Sequence, residues 1–327
     1  GDYTPQVERI SIDEAFADVA GCTHLFGPPP AIAAAIRQRV RDDLGLPISI
    51  GVARTKHLAK IASQVAKPDG LVVVEPGGER EFLHDLPVEL MWGVGPAVRA
   101  RLAAIGVRTI GQLAAVPGGS LEHLLGRAIG EKLVALALNR DPRGVEQHRR
   151  AQSVGAQSAL GRVAPDLRRL RPVLVHLADR ICSRLRTKGR AGRTVTVRVR
   201  FADLRAVTRA ITLDAAISAT PVLADVALGL VRTVLREHPK ERVVTLVAIA
   251  VSHLDQNAHL QLELSLDLPD EARRPGTPAG LARRAADGAV DAIRTRFGWN
   301  AVGYASVALG KTRTVPDGFR ELAEKDR

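Results

Sequence analysis

Apolar positions between residues 7 and 74 follow two different spacings. They predict the order strand, turn, strand, helix, strand, helix, strand. The first helix is expected over about residues 31–44, because its apolar residues recur every three to four positions and Gly45 can cap its C-terminal end. Alternation over residues 48–52 predicts the strand that follows this helix.

Between Leu83 and Arg140 the apolar spacing is helical throughout, and glycines and prolines divide the stretch into short helices. The segment that begins at Asp141 contains Pro142, Gly144 and several arginines and glutamines. This composition is typical of a tether between two folded units.

A second mixed unit follows the tether. Its predicted elements are a strand at Ser153–Leu160, a helix at Pro165–Thr187, strands at Thr194–Phe201 and Ala206–Leu213, a helix at Pro221–Glu237 and a strand at Val243–Val251. This order indicates a small open-faced sheet with helices on one side. Another helix near Leu281–Phe297 and an apolar strand at Ala301–Leu309 precede a charged tail.

Length and composition indicate a globular protein of more than one domain. The 327 residues exceed one ordinary core, and 46% of them are hydrophobic, which excludes a disordered chain. Cys22 and Cys182 are the only cysteines, and no Cys/His cluster accompanies them, so we expect a reducing compartment and no zinc site. No signal peptide or membrane-spanning apolar stretch is found, so we expect a soluble, cytoplasmic protein that binds no membrane.

The net charge and its distribution along the chain indicate what class of partner the protein binds. The formal net charge is +12, and fourteen Arg or Lys against three Asp lie between Gly161 and Ala210. Nearly the whole excess therefore falls within the second mixed unit. A basic patch beside an open sheet face is suited to the backbone of a nucleic acid.

The stretch "ERISIDEAFADV", residues 8–19, places Asp13 beside Glu14 at the end of a short strand. Adjacent carboxylates repel each other unless a cation lies between them, although the dipeptide alone is more typical of a solvated turn. With Asp18 and an apolar strand on each side, "SIDEAF" resembles the second metal-binding motif of the Y-family, or translesion, DNA polymerases, in the branch of DNA polymerase IV. The resemblance implies that the cation is the catalytic metal.

The stretch "GVARTKHLAKIASQVAKPDG", residues 51–70, predicts a helix with one basic and one apolar face. Its basic face comprises Lys56, Lys60 and Lys67. Its apolar face comprises Leu58, Ile61 and Val65. Lysines at this spacing usually form only a solvated face, but "AKPDG" resembles the family's signature at the end of the nucleotide-binding helix. This resemblance implies that Lys60 and Lys67 contact the incoming triphosphate.

The stretch "WGVGPAVRARLAAIGVRTIGQL", residues 92–113, has a helix-hairpin-helix pattern. Gly93 and Gly95 would let backbone N–H groups at a helix N-terminus face a DNA phosphate. A Gly-x-Gly also fits an ordinary turn between helices. Its place just after the lysine helix is similar to that of the hairpin in the family's thumb domain.

The second mixed unit is similar in place and element order to the family's little finger domain. The resemblance implies that its basic residues contact the DNA backbone, and our candidates are Arg190, Arg193 and Arg198. The later stretch "QLELSLD" resembles the motif by which bacterial polymerases bind the sliding clamp. Its anchors would be Gln261, Leu264 and Leu266. An amphipathic edge strand is an equally good interpretation of this stretch.

The resemblance covers residues 7 to about 267 and implies an α+β multidomain fold. The implied domains are a remaining palm of mixed sheet and helices at 1–82, a helical thumb with the helix-hairpin-helix at 83–140, a linker at 141–152, a little finger of a four-stranded sheet with two helices at 153–268, and a C-terminal extension at 269–327. Family members begin with a strand carrying another metal-binding aspartate and with a fingers domain whose aromatic side chain excludes ribonucleotides. Neither is found in this sequence, so we expect a fragment with little or no nucleotide addition by itself.

The implied chemistry is two-metal nucleotidyl transfer from a dNTP to the 3′-hydroxyl of primer-template DNA. Two Mg2+ ions would be the cofactors, with Asp13 as a metal ligand and Glu14 as a ligand or the proton acceptor. We expect a monomer with the sliding clamp as a partner. Two alternatives stay open: a non-catalytic, polymerase-like DNA-binding scaffold, and a general helix-hairpin-helix repair or recombination factor. The second leaves the lysine helix unexplained.

Overall fold

The computed structural model describes residues 1–147, 151–255 and 278–304 of the chain. Two compact units make up the molecule, Gly1–Arg149 and Arg150–Arg327. Each unit has its own cluster of buried aliphatic side chains. The mixture of helices and sheets confirms the predicted α+β class.

The first unit contains the following elements. Its strands are β1 Val7–Arg9, β2 Ala15–Ala17, β3 Ile50–Val52 and β4 Leu71–Val73. Its helices are α1 Thr23–Phe26, α2 Pro29–Leu44, α3 Lys56–Val65, α4 Glu79–His84, α5 Pro96–Ala104, α6 Ile110–Ala115, α7 Gly118–Leu125 and α8 Arg127–Ala137. Strands β1 and β2 pair antiparallel, and β3 and β4 pair parallel. The predicted order of strands and helices is therefore confirmed.

Helix α2 ends as its sequence predicts. Gly45 adopts a left-handed conformation with φ of 66°, and its N–H donates to the carbonyl of Arg41. Glycine takes this conformation without the strain that a Cβ would cause. Pro29 is the first residue of the helix, a position where proline sacrifices no hydrogen bond, and Pro28 directly precedes it.

Helix α3 lies directly on strand β3 at Gly51. A Cβ added there would lie 2.2 Å from the carbonyl oxygen of Ala59 and 2.4 Å from the backbone nitrogen of Ser63, so only glycine permits this approach. Leu58 and Ile61 are fully buried, as predicted. Val65 is 41% exposed, so its predicted place on the buried face is wrong. Because the helix ends at this residue, its side chain lies beyond the core that the earlier turns cover.

The second unit contains strands β5 Ser153–Val163, β6 Ala191–Phe201, β7 Ala206–Ile217 and β8 Val244–Asp255, and helices α9 Leu167–Thr187, α10 Thr220–Glu237 and α11 Pro278–Phe297. The strands form one antiparallel sheet in the order β5-β8-β6-β7. Helices α9 and α10 cover one face. This arrangement confirms the predicted order of strand, helix, two strands, helix and strand.

Strand β6 illustrates how the sheet separates its two faces. Val195, Val197 and Val199 are fully buried under the helices, because side chains alternate along a strand. The residues between them, among them Arg198, lie on the open face. Cys182 on α9 is buried in the same core, whereas Cys22 in the first unit is partly exposed.

Helix α11 packs against α9, so part of the predicted C-terminal extension belongs to the second unit. Its contact is made by buried ion pairs, including one between Arg294 and Asp179. Residues Trp299–Ala301 form a 3-10 turn, and a strand therefore does not begin at Ala301. The rest of the strand predicted there, and the stretch 261–267, lie outside the described residues. Among the helices that are described, none is both long and apolar enough to span a bilayer.

Candidate active site

Asp13 lies in the turn between β1 and β2. The backbone N–H groups of Ile10 and Ser11 both donate to the carbonyl of Glu14, at 2.9 and 3.1 Å, and so close the turn. The Ser11 hydroxyl donates to the Asp13 carboxylate. This hydrogen bond lowers the pKa of Asp13 below its ordinary value. The exposed Asp13 side chain is therefore a carboxylate near neutral pH.

Glu14 pairs with Lys60 of helix α3. The Lys60 side chain is 17% exposed and the Glu14 side chain 36%. Lys67 and Lys60 also act on Asp13, whose pKa their positive charges lower further. The fold thus brings the predicted acidic pair and both predicted nucleotide-binding lysines to one place. It also corrects the expectation that only a metal compensates the acidic pair, because lysines of the chain already do so.

The three lysines of the predicted basic face have different environments. Lys67 is exposed and lies two residues beyond the last residue of α3. Lys56 is buried, pairs with the buried Glu8 of β1 and donates to the carbonyl of Gly144 at 3.1 Å. The prediction that the three lysines share one helix face is therefore wrong for Lys67, which lies beyond the helix, while Lys56, one turn before Lys60 on α3, is buried. The Lys56 ammonium is neutralised inside the first unit, because the buried Glu8 carboxylate of β1 lies next to it.

The carboxylates at the turn supply part of the ligand set of a divalent metal. Asp13 and Glu14 supply two carboxylates, and Mg2+ in nucleotide sites is commonly held by one or two carboxylates together with substrate phosphates and water. Among the residues that the structure describes, no group of three or more His, Cys, Asp or Glu could hold a metal by itself. The pair therefore fits a metal that is shared with a bound triphosphate.

Trp92 connects this site with other parts of the first unit, and sequence reasoning missed it. Its ring stacks on Phe16 of β2, with centroids 6.0 Å apart and planes inclined by 18°. Lys60 Nζ lies 5.3 Å from the Trp92 ring centroid, and the Arg143 guanidinium lies 4.4 Å from it. These contacts join residues far apart in the chain, so no local spacing indicates them. Trp92 directly precedes the hairpin glycines, which is the one sequence signal that could have singled it out.

The helix-hairpin-helix glycines lie at the start of α5. Gly93 has a left-handed φ of 104°, and Gly95 directly precedes the helix, whose first residue is Pro96. Both glycines are exposed, and no atom lies within 4 Å of a Cβ added to Gly95. A phosphate could therefore approach the N-terminal end of α5 closely.

Of the three candidate arginines of the second unit, Arg193 and Arg198 are exposed, whereas Arg190 is partly buried. Arg198 lies on the open face of the sheet. Arg190 donates to the carbonyl of Ala151 at 3.3 Å, and Arg193 to the carbonyl of Leu213 at 3.1 Å. Arg193 and Arg198 are therefore the more accessible of the three to an anion.

Not all the arginines of the predicted basic patch lie on the surface of the second unit. Arg180 is 4% exposed. Arg186 is partly buried, with 11% of its side chain exposed, and pairs with Asp287 at 3.2 Å and with Asp291 at 2.6 Å. These two arginines therefore add little to the exposed positive charge of the unit. The clamp-motif anchors at 261–266 lie outside the described residues.

Comparison with known proteins decides the family. The impB/mucB/samB family model matches residues 1–64, and the model for the C-terminal domain of that family matches residues 151–264. A Y-family DNA polymerase chimera of Dbh and Dpo4 superimposes with a TM-score of 0.68 at 25% identity, covering 77% of this chain and 72% of that one. DNA polymerase IV 2 of Mesorhizobium japonicum is 69% identical over 325 residues, covering 99% of this chain and 78% of that protein. The chain belongs to the DNA polymerase IV branch of the Y-family.

Further relatives agree with this membership. DNA polymerase IV of Desulfatibacillum aliphaticivorans is 35% identical over 300 residues, covering 90% of this chain and 72% of that protein. The insertion ternary complex of Dbh DNA polymerase has the same fold, with a TM-score of 0.52 at 24% identity over 77% of this chain and 72% of that one. Y-family members are translesion DNA-directed DNA polymerases, nucleotidyltransferases that generally use divalent metals. The resemblance inferred from the sequence motifs is confirmed.

Proposed function

We propose that the acidic turn and helix α3 form the site at which this Y-family polymerase transfers a nucleotide from a dNTP to a primer 3′-hydroxyl. One observation carries the proposal: Glu14 pairs with Lys60, while Lys60 and Lys67 act on the Asp13 carboxylate. A site for a metal-bound triphosphate needs carboxylates and lysines within reach of each other. A purely structural ion pair would need only one member of each kind.

Asp13 and Glu14 are the proposed ligands of two Mg2+ ions, and Glu14 is an alternative proton acceptor at the primer end. When bound, such ions activate the attacking hydroxyl and stabilise the charge of the leaving pyrophosphate. Lys60 and Lys67 neutralise the phosphates as point charges on flexible stems, which adapt to a polyphosphate without imposing one geometry.

The remaining assignments of the proposal concern partners. Gly93 and Gly95 would bind a DNA phosphate at the start of α5, and Arg190, Arg193 and Arg198 would bind the backbone of primer-template DNA. Residues 1–82, 83–140 and 153–268 are proposed as palm, thumb and little finger. A sliding clamp bound by Gln261, Leu264 and Leu266, a monomeric state and a cytoplasmic location complete the proposal.

The test is the affinity of the chain for a dNTP in the presence of primer-template DNA, with and without Mg2+. Lys60→Ala and Lys67→Ala are each expected to weaken dNTP binding by about tenfold, the loss typical of a charge-assisted hydrogen bond. Asp13→Ala is expected to remove the dependence on Mg2+. DNA affinity should barely change in all three variants, because none of these residues is assigned to the DNA backbone.

Lys132→Ala is the matched control, since Lys132 is an exposed lysine on α8. Its dNTP affinity should equal that of the unmodified chain. A non-catalytic scaffold would bind DNA but no dNTP. Equal dNTP affinity in the Lys60, Lys67 and Lys132 variants would contradict the proposed site.

A further inference from the structure

Residues 141–147, expected to form the start of a linker, are instead bound to the first unit. The backbone N–H of Glu146 donates to the buried Glu8 carboxylate at 2.8 Å. The Gln147 side-chain amide donates to the carbonyl of Pro5 at 2.7 Å. This segment therefore has fixed contacts with the strand that precedes the acidic turn.

Asp141 binds the start of the nucleotide-binding helix. Its carboxylate accepts a hydrogen bond from the backbone N–H of His57 at 3.0 Å, and its side chain is only 1% exposed. The first N–H groups of a helix have no partner within the helix, and a carboxylate there also interacts favourably with the helix dipole. Asp141 thus fixes α3 within one turn of Lys60.

Arg143 extends this contact to the other side of Lys60. Its guanidinium donates to both oxygens of Asp141, at 2.6 and 2.8 Å. The same guanidinium lies against Trp92, whose ring also contacts the Lys60 ammonium. Two contacts therefore fix the position of Lys60. Asp141 binds the N-terminus of the helix that carries Lys60, and Arg143 contacts the indole ring that lies against its ammonium.

We propose that Asp141 and Arg143 are positioning residues, which hold the Lys60 ammonium at the acidic turn. In this proposal both residues act through their contacts with α3 and Trp92. The functional meaning of this role rests on the nucleotide site proposed above. The role itself is a statement about the environment of Lys60, and it can be measured without nucleotide.

The test is competitive acetylation of the full chain, with the rate at each lysine read by mass spectrometry. In Arg143→Gln the rate at Lys60 is expected to rise about fivefold, because the ammonium loses a fixed aromatic contact and becomes more accessible. The rate at the already exposed Lys67 should not change. Arg143→Lys is expected to give an intermediate rate, since an ammonium keeps the charge but cannot form the two-pronged bond to Asp141.

A merely structural role would give a different result. It would lower the melting temperature and raise the rates at the buried Lys56 and at Lys60 together. Arg127→Gln is the control, since Arg127 is an exposed arginine that pairs with Glu131 of the same helix. If Arg143→Gln does not fold, Asp141→Asn and Arg143→Lys replace it. An unchanged rate at Lys60 in the folded variants, or a parallel rise at Lys56 and Lys60, overturns the proposal.

A second measurement connects the role to nucleotide binding. Arg143→Gln is expected to weaken Mg2+–dNTP binding by about the same fivefold factor, with DNA affinity unchanged. If the unmodified chain binds no dNTP, the proposed nucleotide site fails, while the acetylation rates still decide the positioning role. If dNTP binds but its affinity does not respond to Arg143→Gln, the positioning role has no effect on the substrate and that part of the proposal is wrong.

Discussion

Arg294 donates two hydrogen bonds to Asp179, at 2.9 and 2.8 Å, and both side chains are buried. The pair joins helices α11 and α9, which are separated by a long stretch of chain. Beside it, Tyr304 donates to Asp287 at 2.7 Å, and Asp287 pairs with Arg186. Helix α11 is therefore part of the second unit's structure, although its sequence looks like an appended tail.

Arg294→Met is expected to lower the free energy of unfolding of the second unit by about 3–5 kcal/mol, because the Asp179 carboxylate would stay buried without its partner. Urea denaturation, followed by the fluorescence of Trp299 in a Trp92→Phe background, measures this change. Combining Arg294→Met with Asp179→Leu should restore most of the stability, since apolar pairs often replace buried ion pairs without loss. A single variant as stable as the parent would contradict the role of the pair.

His57 is expected to make the stability of the first unit depend on pH. The residue is fully buried, and neither ring nitrogen has a hydrogen-bond partner among the described residues. Burial lowers the pKa of His57 from 6.5 to about 4. Between these values the unfolded chain binds a proton that the folded one does not, so the free energy of unfolding falls as the pH falls from 6.5 to 4. The loss should reach about 3 kcal/mol at most.

Urea denaturation at pH 7 and pH 4.5, followed by Trp92 fluorescence in a Trp299→Phe background, checks this dependence. His57→Leu should reduce the difference between the two pH values, because a side chain that cannot be protonated replaces the buried imidazole. His123→Gln, at an exposed position on α7, is the control and should leave the difference unchanged. Equal pH dependence in the His57→Leu variant and the parent would show that other groups cause it.

Gly51→Ala is expected to destabilise the first unit by about 1–3 kcal/mol, the usual cost of overpacking, because its Cβ would collide with the backbone of α3. The displacement of α3 should also increase the acetylation rate at Lys60. Gly229→Ala is the contrasting variant: Gly229 lies inside α10 with no atom within 4 Å of an added Cβ. Alanine there should stabilise the second unit by about 0.5–1 kcal/mol. If both variants lost stability, or both gained it, the result would contradict this account.

Arg198→Ala is expected to weaken binding to duplex DNA and to reduce the slope of log affinity against log salt by about one, because one phosphate contact is lost. Fluorescence anisotropy over a range of salt concentrations measures both quantities. Arg232→Ala is the matched control, since Arg232 is exposed on α10, the helix that covers the opposite face of the sheet. If both variants lose affinity equally, the open face is not the DNA-binding face.

Local sequence pattern predicts the elements of this fold because neighbouring residues decide them. Gly45 ends α2, and α9 begins at Leu167 just after Asp166, which accepts a hydrogen bond from the Arg168 backbone N–H. Both ends lie within two residues of their predicted places. The alternation of valines in β6 likewise predicts which face of the sheet is buried.

Contacts between residues that are distant in the chain could not be predicted from local sequence pattern. The resemblance to a family, and not the spacing, selected Lys60 and Lys67 from the three lysines of residues 51–70. Lys56 shares their spacing, but it is buried because Glu8 lies next to it in the folded unit. Asp141 and Arg143 occur in a stretch whose composition is typical of a linker, and only the fold places them beside α3 and Trp92.

The two cysteines differ in a way that has a practical consequence. Burial raises the pKa of the Cys182 thiol, so its reactive thiolate form is scarce at neutral pH. Cys22, in the other unit, is partly exposed. A maleimide dye should therefore attach at Cys22 of this chain, and fluorescence from that one label can report on the first unit without any engineered mutation.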